Sequence, residues 1–374
     1  MKLLHTGDLH LDSAYCGSDL LTAQTRRQEH REVLMRIFAL AEREECDMIL
    51  IAGDLFDTPF PTPDTRAHLL SLLQKTRAEV FVAPGNHDPY TDGSFYKTAE
   101  LPERVHVFNS RELQCVELPR LHARVFGYAF LGGSFRESPL TEAPMPKEEG
   151  ILHILCAHGD WELPTSRYAP LTESDLIRHG FDYAALGHIH NPPETGARVR
   201  YCGFPEGRSY DEEGDGGVLL VTLTEGEMPK VERRTVSRRR FCTDTVELTG
   251  DEDAGALRTL LERRVEQYDR AEQRTNLRLY LTGACDGALL EHLADTEQEL
   301  KGSLEGLELV DLTMPPADGR VLAADISLKG YFYRALLPSL NSPSPQVRSR
   351  ALTALRMGLA AMEGRPIPER RDRG

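Results

Sequence analysis

Residues 47–57 read DMILIAGDLFD, an unbroken apolar run set directly against a Gly-Asp turn. A short apolar run ending in glycine reads as a buried strand, and this one delivers a carboxylate, Asp54, into the loop that follows. The same signature recurs outward from it. MKLLHT (1–6) leads into GDLH, VFVAPG (80–85) into NHD, ILHILCAHG (151–159) into DW, and DYAALGH (182–188) into IH. Residues 22–45 and 62–77 carry helical periodicity, so strands alternate with helices and the expected core is an α/β sheet. Three later runs, 199–202, 217–223 and 230–236, have no helix between them and are expected as antiparallel strands added at the end.

What the strand ends carry matters more than their number. In chain order they supply Asp8 and His10, Asp54, Asn86 and His87, His158, then His188 and His190. Loops converge at the carboxyl ends of strands in α/β sheets, which is where such proteins bind ligands. The glycines before Asp8, Asp54, Asn86 and His188 suit tight turns with close backbone approach. Carboxylate, amide and imidazole donors without thiolate suit Mn²⁺, Fe or Zn²⁺. Eight donor residues are too many for one ion and right for two, and an ion pair about 3.5–4 Å apart is the usual apparatus for in-line displacement at phosphorus.

Each element alone is weak. A lone Asp-x-His is more often a surface pair, and a lone His-x-His more often part of a core hydrogen-bond network. The weight comes from five in order, each at the end of an apolar run. His5 and His153 lie inside such runs and are expected as core residues with a hydrogen-bond partner. His30, His68, His106, His122, His179 and His292 have no ligand-like context. Trp161, just after His158, either packs beneath the site or stacks on a base or sugar.

The bulk numbers bound the class. The chain has 374 residues, 40% hydrophobic and 28% charged, an ordinary globular composition with room for more than one domain. No stretch approaches the roughly 20 apolar residues of a membrane span, and the N-terminus turns polar too early for a signal peptide. Seven cysteines (16, 46, 115, 156, 202, 242 and 285) stand singly, with no CxxC pair, as expected for structural thiols in the cytoplasm. Lys and Arg number 44 against 59 Asp and Glu, a net charge of −15, which argues for weak unaided DNA binding. Basic residues do cluster locally, in KVERRTVSRRR (230–240) and in a tail ending ERRDRG.

A second unit is expected from about residue 240. Strand, helix, strand, helix, strand are read over 241–248, 253–268, 276–281, 287–300 and 307–312, a small α/β cap without catalytic motifs. A Pro-containing break at 314–316 precedes a tail helix, started by Ser344 as N-cap and Pro345 at the first position. Its Val347, Ala351, Leu355 and Leu359 recur every fourth residue, beside Leu352 and Met362. That stripe serves either packing within its own domain or docking on a partner chain.

GDLHLD, GDLFD, GNHD and GHIH resemble the calcineurin-like metallophosphoesterases. With HG before GHIH and YCGFPEGRSYDEEGDGGVLLVTL after it, the pattern over residues 1–236 looks like the SbcD-type DNA repair nucleases. The resemblance implies a four-layer α/β/β/α sandwich with mixed sheets as nuclease domain (1–239), followed by the α/β cap (240–313) and a linker with C-terminal helix (314–374). It implies two divalent ions, foremost Mn²⁺: Asp8, His10 and His190 would hold the first, Asn86, His158 and His188 the second, and Asp54 would bridge them. His87 would face the scissile phosphate as proton donor. Archaeal and eukaryotic members carry His three residues after the bridging Asp; here Asp57 stands there, as in bacterial members. A coiled-coil ATPase of the SbcC type, DNA as substrate in repair or recombination, and a possible homodimer complete what the resemblance implies. Two other functions share these motifs: a phosphoesterase for a small diester or phosphoprotein, and a non-catalytic subunit that keeps the fold.

Overall fold

The computed structural model describes residues 1–15, 20–140, 147–193, 195–269, 273–290, 293–302, 304–315 and 319–364. Cys16, His292, Pro316 and the Arg-rich ending lie outside them. The chain divides into two compact units, Met1–Arg240 and Phe241–Gly374.

The first unit is built on two mixed sheets. One takes β1 (Lys2–Thr6), β2 (Met48–Ile51), β3 (Glu79–Val82) and β4 (Val105–Val107) in parallel. The connecting helices α1 (Leu20–Arg43), α2 (Pro63–Lys75) and α3 (Phe95–Thr98) lie between these strands in the chain. The other sheet is ordered β5 (Gln114–Leu118), β6 (Ala123–Gly127), β7 (Leu152–His158), β8 (Tyr183–Gly187), β9 (Val199–Tyr201), with α4 (Glu173–His179) before β8. Only the β5–β6 pair in it is antiparallel. β10 (Gly214–Thr222) returns to the first sheet antiparallel to β1, and β11 (Lys230–Leu248) lies beside β10.

Strand alternation sorts the side chains into layers. Leu3, Met48, Leu50 and Phe81 face Val125, Ile154, Cys156 and Tyr183 in the core between the sheets. Their neighbours Leu4, Ile49, Ile51 and Val80 pack outward on Val33, Leu34 and Ile37 of α1 and Leu69 and Leu73 of α2. On the far side of the second sheet, Phe126, Leu155 and Leu186 pack with Leu176 of α4 and with loop residues Phe130, Phe135 and Leu171. The result is the α/β/β/α layering. α2 starts where its sequence says: Pro63 follows the N-cap Thr62, whose hydroxyl accepts from Thr65 N at 3.4 Å.

Two expectations need correction. Residues 199–202 do not join an antiparallel set, because β9 runs parallel to β8. The chain leaves β8 at its carboxyl end to form the HIH loop, and must travel back before it can pair, so it arrives in the same direction. The runs at 230–236 and 241–248 are also one strand, Lys230–Leu248, with the unit division inside it. No Gly or Pro interrupts that stretch, so nothing breaks the extended backbone.

In the second unit, the later part of β11 is followed by α5 (Ala254–Glu266), β12 (Arg274–Gly283), α6 (Leu293–Leu300) and β13 (Gly306–Asp311), with β12 and β13 parallel. Gly287–Leu290, read as the start of the second helix, is a separate 3-10 turn. Leu257, Leu261 and Val265 of α5 bury against Leu277, Leu279 and Leu281 of β12 and Leu307 and Leu309 of β13. Three helices follow: α7 (Gly319–Ala324), α8 (Leu328–Leu340) and the expected tail helix α9 (Pro345–Met362). Leu355 and Leu359 of α9 are buried with Leu322, against Phe332, Leu336 and Leu340 of α8. The every-fourth-residue stripe is thus spent within its own unit, while Val347 and Leu352 remain outside. No helix among the described residues is long and apolar enough to cross a membrane.

Candidate metal centre

The first unit brings the candidate donors together from five strand ends. Asp8 and His10 follow β1, Asp54 follows β2, Asn86 and His87 follow β3, His158 is the last residue of β7, and His188 and His190 follow β8. Three overlapping groups form, each with its ligand atoms within 4.8 Å of one another: Asp8 with His10 and His190, His10 with Asp54 and His87, and Asp54 with His158 and His188. Asn86 joins through its Oδ1, 3.0 Å from His158 Nε2. Asp8, His10, Asp54 and His158 are buried, whereas the His87 side chain is 46% exposed at the rim.

Backbone conformation shows what the convergence requires. Asp8, His10, Asp54 and His188 have φ of 50°, 45°, 47° and 108°. Non-glycine residues at positive φ cost about 1–3 kcal/mol each and persist where surrounding structure holds them. Space is equally tight: a Cβ on Gly85 would lie 2.2 Å from Asp54 Oδ1, and one on Gly53 would lie 2.3 Å from His158 Nδ1. Both glycines are demanded by the close approach of backbone to the site.

Three of the imidazoles are held so that one nitrogen faces inward. His158 Nδ1 donates to Ala52 O at 2.9 Å, which turns Nε2 toward Asn86 Oδ1 and, at 3.3 Å, toward Asp54 Oδ2. His10 Nδ1 is 2.9 Å from Asp57 Oδ1, and His190 Nδ1 is 2.7 Å from Glu212 Oε1. Their Nε2 atoms then meet at 3.2 Å. Lone pairs and carboxylate oxygens share a common space, an arrangement that could hold a metal ion. Oxygen and nitrogen donors of this kind fit divalent ions, and the second partner on each ring is the usual support of a metal-binding histidine.

The electrostatics agree. Burial disfavours charge on His158, but Asp54 and Asp8 outweigh it and lift its pKa to about 9. A site that draws a proton this strongly to Nε2 is equally one that draws a metal ion. Burial pushes Asp54 up, yet His158, His10 and His87 overcome this and hold it well below the usual carboxylate range. Burial, reinforced by His158, lowers His188 to about 3, so its ring is neutral and able to ligate. His87 is shifted upward, first by its hydrogen bond with Asp57.

Several participants had no role assigned from the sequence. Asp57, marked in the sequence only by the histidine it replaces, lies 2.9 Å from His10 Nδ1 and 3.3 Å from His87 Nδ1. Asp88 accepts from the backbone N of Gly85, Asp54 and Phe56 and from Tyr96 Oη, stapling two ligand loops together. Tyr168 sits against the His188 ring, with centroids 4.6 Å apart. Glu212 and Arg208 come from the loop before β10. Asp57 lies inside GDLFD, Asp88 inside GNHD, and Arg208 and Glu212 inside YCGFPEGRSYDEEGDGG, but acidic residues in loops have no periodicity that would say which donor each one supports.

Other expectations concern the core. His5 is a core residue with partners, Tyr183 Oη at 2.9 Å and Leu186 O at 3.1 Å. His153 is a core residue, buried against Phe126 with the His179 backbone as its polar neighbour. Trp161 packs on the outer core of the second sheet, the packing alternative. The six described cysteines are free.

Comparison with known proteins agrees with this geometry. Residues 1–192 match the family model for calcineurin-like phosphoesterases. An uncharacterized metallophosphoesterase, YhaO, of Bacillus subtilis is 30% identical over 82% of this chain and 78% of its own length. The SbcD component of the nuclease SbcCD of Escherichia coli is 29% identical over 63% of this chain and 68% of its own. The DNA double-strand break repair protein Mre11 of Haloferax volcanii is 30% identical over 72% of this chain and 58% of its own. On the matched domain, the strand-end donors and these relatives, the chain belongs to the calcineurin-like metallophosphoesterase family.

Proposed function

We propose that this chain is a two-metal-dependent DNA phosphodiesterase, with exonuclease or endonuclease action, that works in DNA repair or recombination with a coiled-coil ATPase partner. The observation that carries the reading is the convergence of carboxylate, amide and imidazole donors beside a half-exposed histidine, His87. Asp8, His10 and His190 would hold a first ion, Asn86, His158 and His188 a second, and Asp54 would serve both. Mn²⁺ is the foremost candidate, with Fe and Zn²⁺ also suited to the donors. Such a pair, when bound, neutralises charge on phosphoryl oxygens and lowers the pKa of water from about 15.7 toward about 7.

The chain's own groups supply the rest. His87 sits at the rim, oriented through Nδ1 by Asp57, so its other nitrogen is free to pass a proton to the leaving oxygen. The hydrogen bond that raises its pKa favours the protonated, donating form. Backbone donation from His188 N to both Asp8 oxygens and from His87 N to Asp54 Oδ1 keeps the carboxylates from rotating as substrate enters. DNA as substrate draws support from the nuclease relatives. A partner draws support from the apolar residues exposed on the second unit's helices, Val321, Leu328 and Tyr331, and on Ile326 beside them.

The test is hydrolysis with Mn²⁺ of linear duplex, single-stranded DNA and a bis-phenyl phosphodiester, with Asp54→Ala as control. DNA cleavage that disappears in the variant is the expected result. Turnover of the small diester with DNA left intact, even after a candidate ATPase subunit is added, would replace DNA by a small substrate.

A further inference from the structure

The donors of the two ion positions are supported differently, and the difference centres on a residue that is itself no donor. In the second position, His158 is oriented by the backbone carbonyl of Ala52. In the first, both imidazoles are oriented by side-chain carboxylates, His10 by Asp57 and His190 by Glu212. Arg208 joins those two carboxylates. Its Nε and Nη2 donate to Glu212 Oε1 at 2.9 and 2.6 Å, and its backbone N donates to Glu212 Oε2 at 2.7 Å. Its Nη1 lies 3.6 Å from Asp57 Oδ1. Its Nη2 also lies 3.2 Å from His190 Nδ1, both being aimed at the same Glu212 oxygen.

Resting on the two-ion reading, we infer that Arg208 and Glu212 are positioning residues that set the affinity of the first ion position without setting that of the second. Glu212 is 4% exposed and accepts from both Arg208 and His190, so it fixes the ring and the guanidinium together. Arg208 then sets the spacing of the two carboxylates, and through them the facing of the two Nε2 atoms 3.2 Å apart. A planar guanidinium can span two carboxylates, whereas the point charge of a lysine cannot. The guanidinium charge by itself repels a cation, so Arg208 acts by fixing Asp57 and Glu212 in place and not by attraction. Neither residue contacts Asn86, His158 or His188 in any hydrogen bond or ion pair among the described residues.

The test is Mn²⁺ binding by calorimetry and low-temperature electron paramagnetic resonance on the full chain, with wild type, Arg208→Ala, Arg208→Lys and Glu212→Gln. Loss of a partner of this kind costs about 10–100-fold in metal affinity. Arg208→Ala is therefore expected to weaken one of two binding events by that factor and to leave the other unchanged. At a Mn²⁺ concentration that fills both wild-type positions, it should give the spectrum of an isolated ion in place of a coupled pair. Arg208→Lys should fall between, and Glu212→Gln, which sets an amide NH2 against a backbone donor of Arg208 or gives up the bond to His190, should weaken the same event. Two events of wild-type affinity in Arg208→Ala would overturn the inference. So would equal weakening of both events, or a matching fall in the melting temperature of the metal-free variant, which would mark a structural role. Wild-type protein that takes up no Mn²⁺ would instead overturn the two-ion reading beneath it.

Discussion

The two units bury different things. The first encloses Asp8, His10, Asp54, Asp88, His158, Glu206 and Glu212, all under a tenth exposed. In the second, among its described residues, no acidic or basic residue is buried as a whole; Thr275 and Thr313 are its buried polar residues, and Arg356 buries only its Nε. Burying a charge is costly unless it is paired and hydrogen-bonded, and a well-packed apolar substitute is often as stable or more so. The first unit therefore carries a cluster that stability alone would not select. The second spends its apolar residues on packing and still leaves Ile326 90% exposed and Leu328 69% exposed. One unit is shaped around chemistry, the other around surfaces.

The strongest way to break that comparison is at the rim of the site. His87→Ala should lower turnover by about 10²–10⁴-fold, the usual worth of general acid catalysis, while Mn²⁺ uptake stays at the wild-type level. A variant that turns over normally would remove His87 from the chemistry; one that loses metal would make it a ligand.

In the second unit the matching probe is Leu279→Ala, at a fully buried position of β12. It should cost about 2–5 kcal/mol in denaturant unfolding. Turnover of the small diester should be unchanged. If small-diester turnover falls with it, the two units are not separable in function.

Glu206 sharpens the picture of buried charge in the first unit. Burial raises its pKa to about 8, against an ordinary 4.5, even though Arg238 N and Arg239 N donate to it. Because the folded value is the higher one, its contribution is fully present below about pH 4.5 and is lost as pH climbs toward 8. The loss is up to about 1.4 kcal/mol per pH unit. Glu206→Gln should flatten the stability-versus-pH curve across that window, compared with wild type. Parallel curves would mean that Glu206 is ionised in the fold.

The smallest effect is expected at the most exposed apolar position. Ile326→Ser should change stability by no more than about 0.5 kcal/mol, as surface substitutions usually do. Binding to a cognate ATPase subunit should weaken. Unaltered binding would move the partner surface elsewhere.

Much of the fold was legible in the chain alone. The runs ending at Thr6, Ile51, Val82, His158 and Gly187 marked the strands that carry the donors, since strand burial and glycine turns are written in neighbouring residues. The start of α9 at Ser344–Pro345 was legible for the same reason. The short strands β4, β5 and β6, and helices α7 and α8, had no comparably clean signal. The three residues of β4 and the six of α7 are too few for a period to emerge, and Pro338 inside α8 reads as a break rather than as helix.

The order of the donors and of the strands that deliver them is written along the chain. Their pairing arises only on folding. His10 and His190 are 180 positions apart and touch because two sheets pack face to face. His158 takes its orientation from Ala52, 106 positions away, and His190 from Glu212 in the loop before β10. Hydrophobic periodicity is a local signal set by backbone geometry, so sequence carries it openly. The partner of a buried polar group is fixed by where distant loops meet, and that is a property of the folded chain.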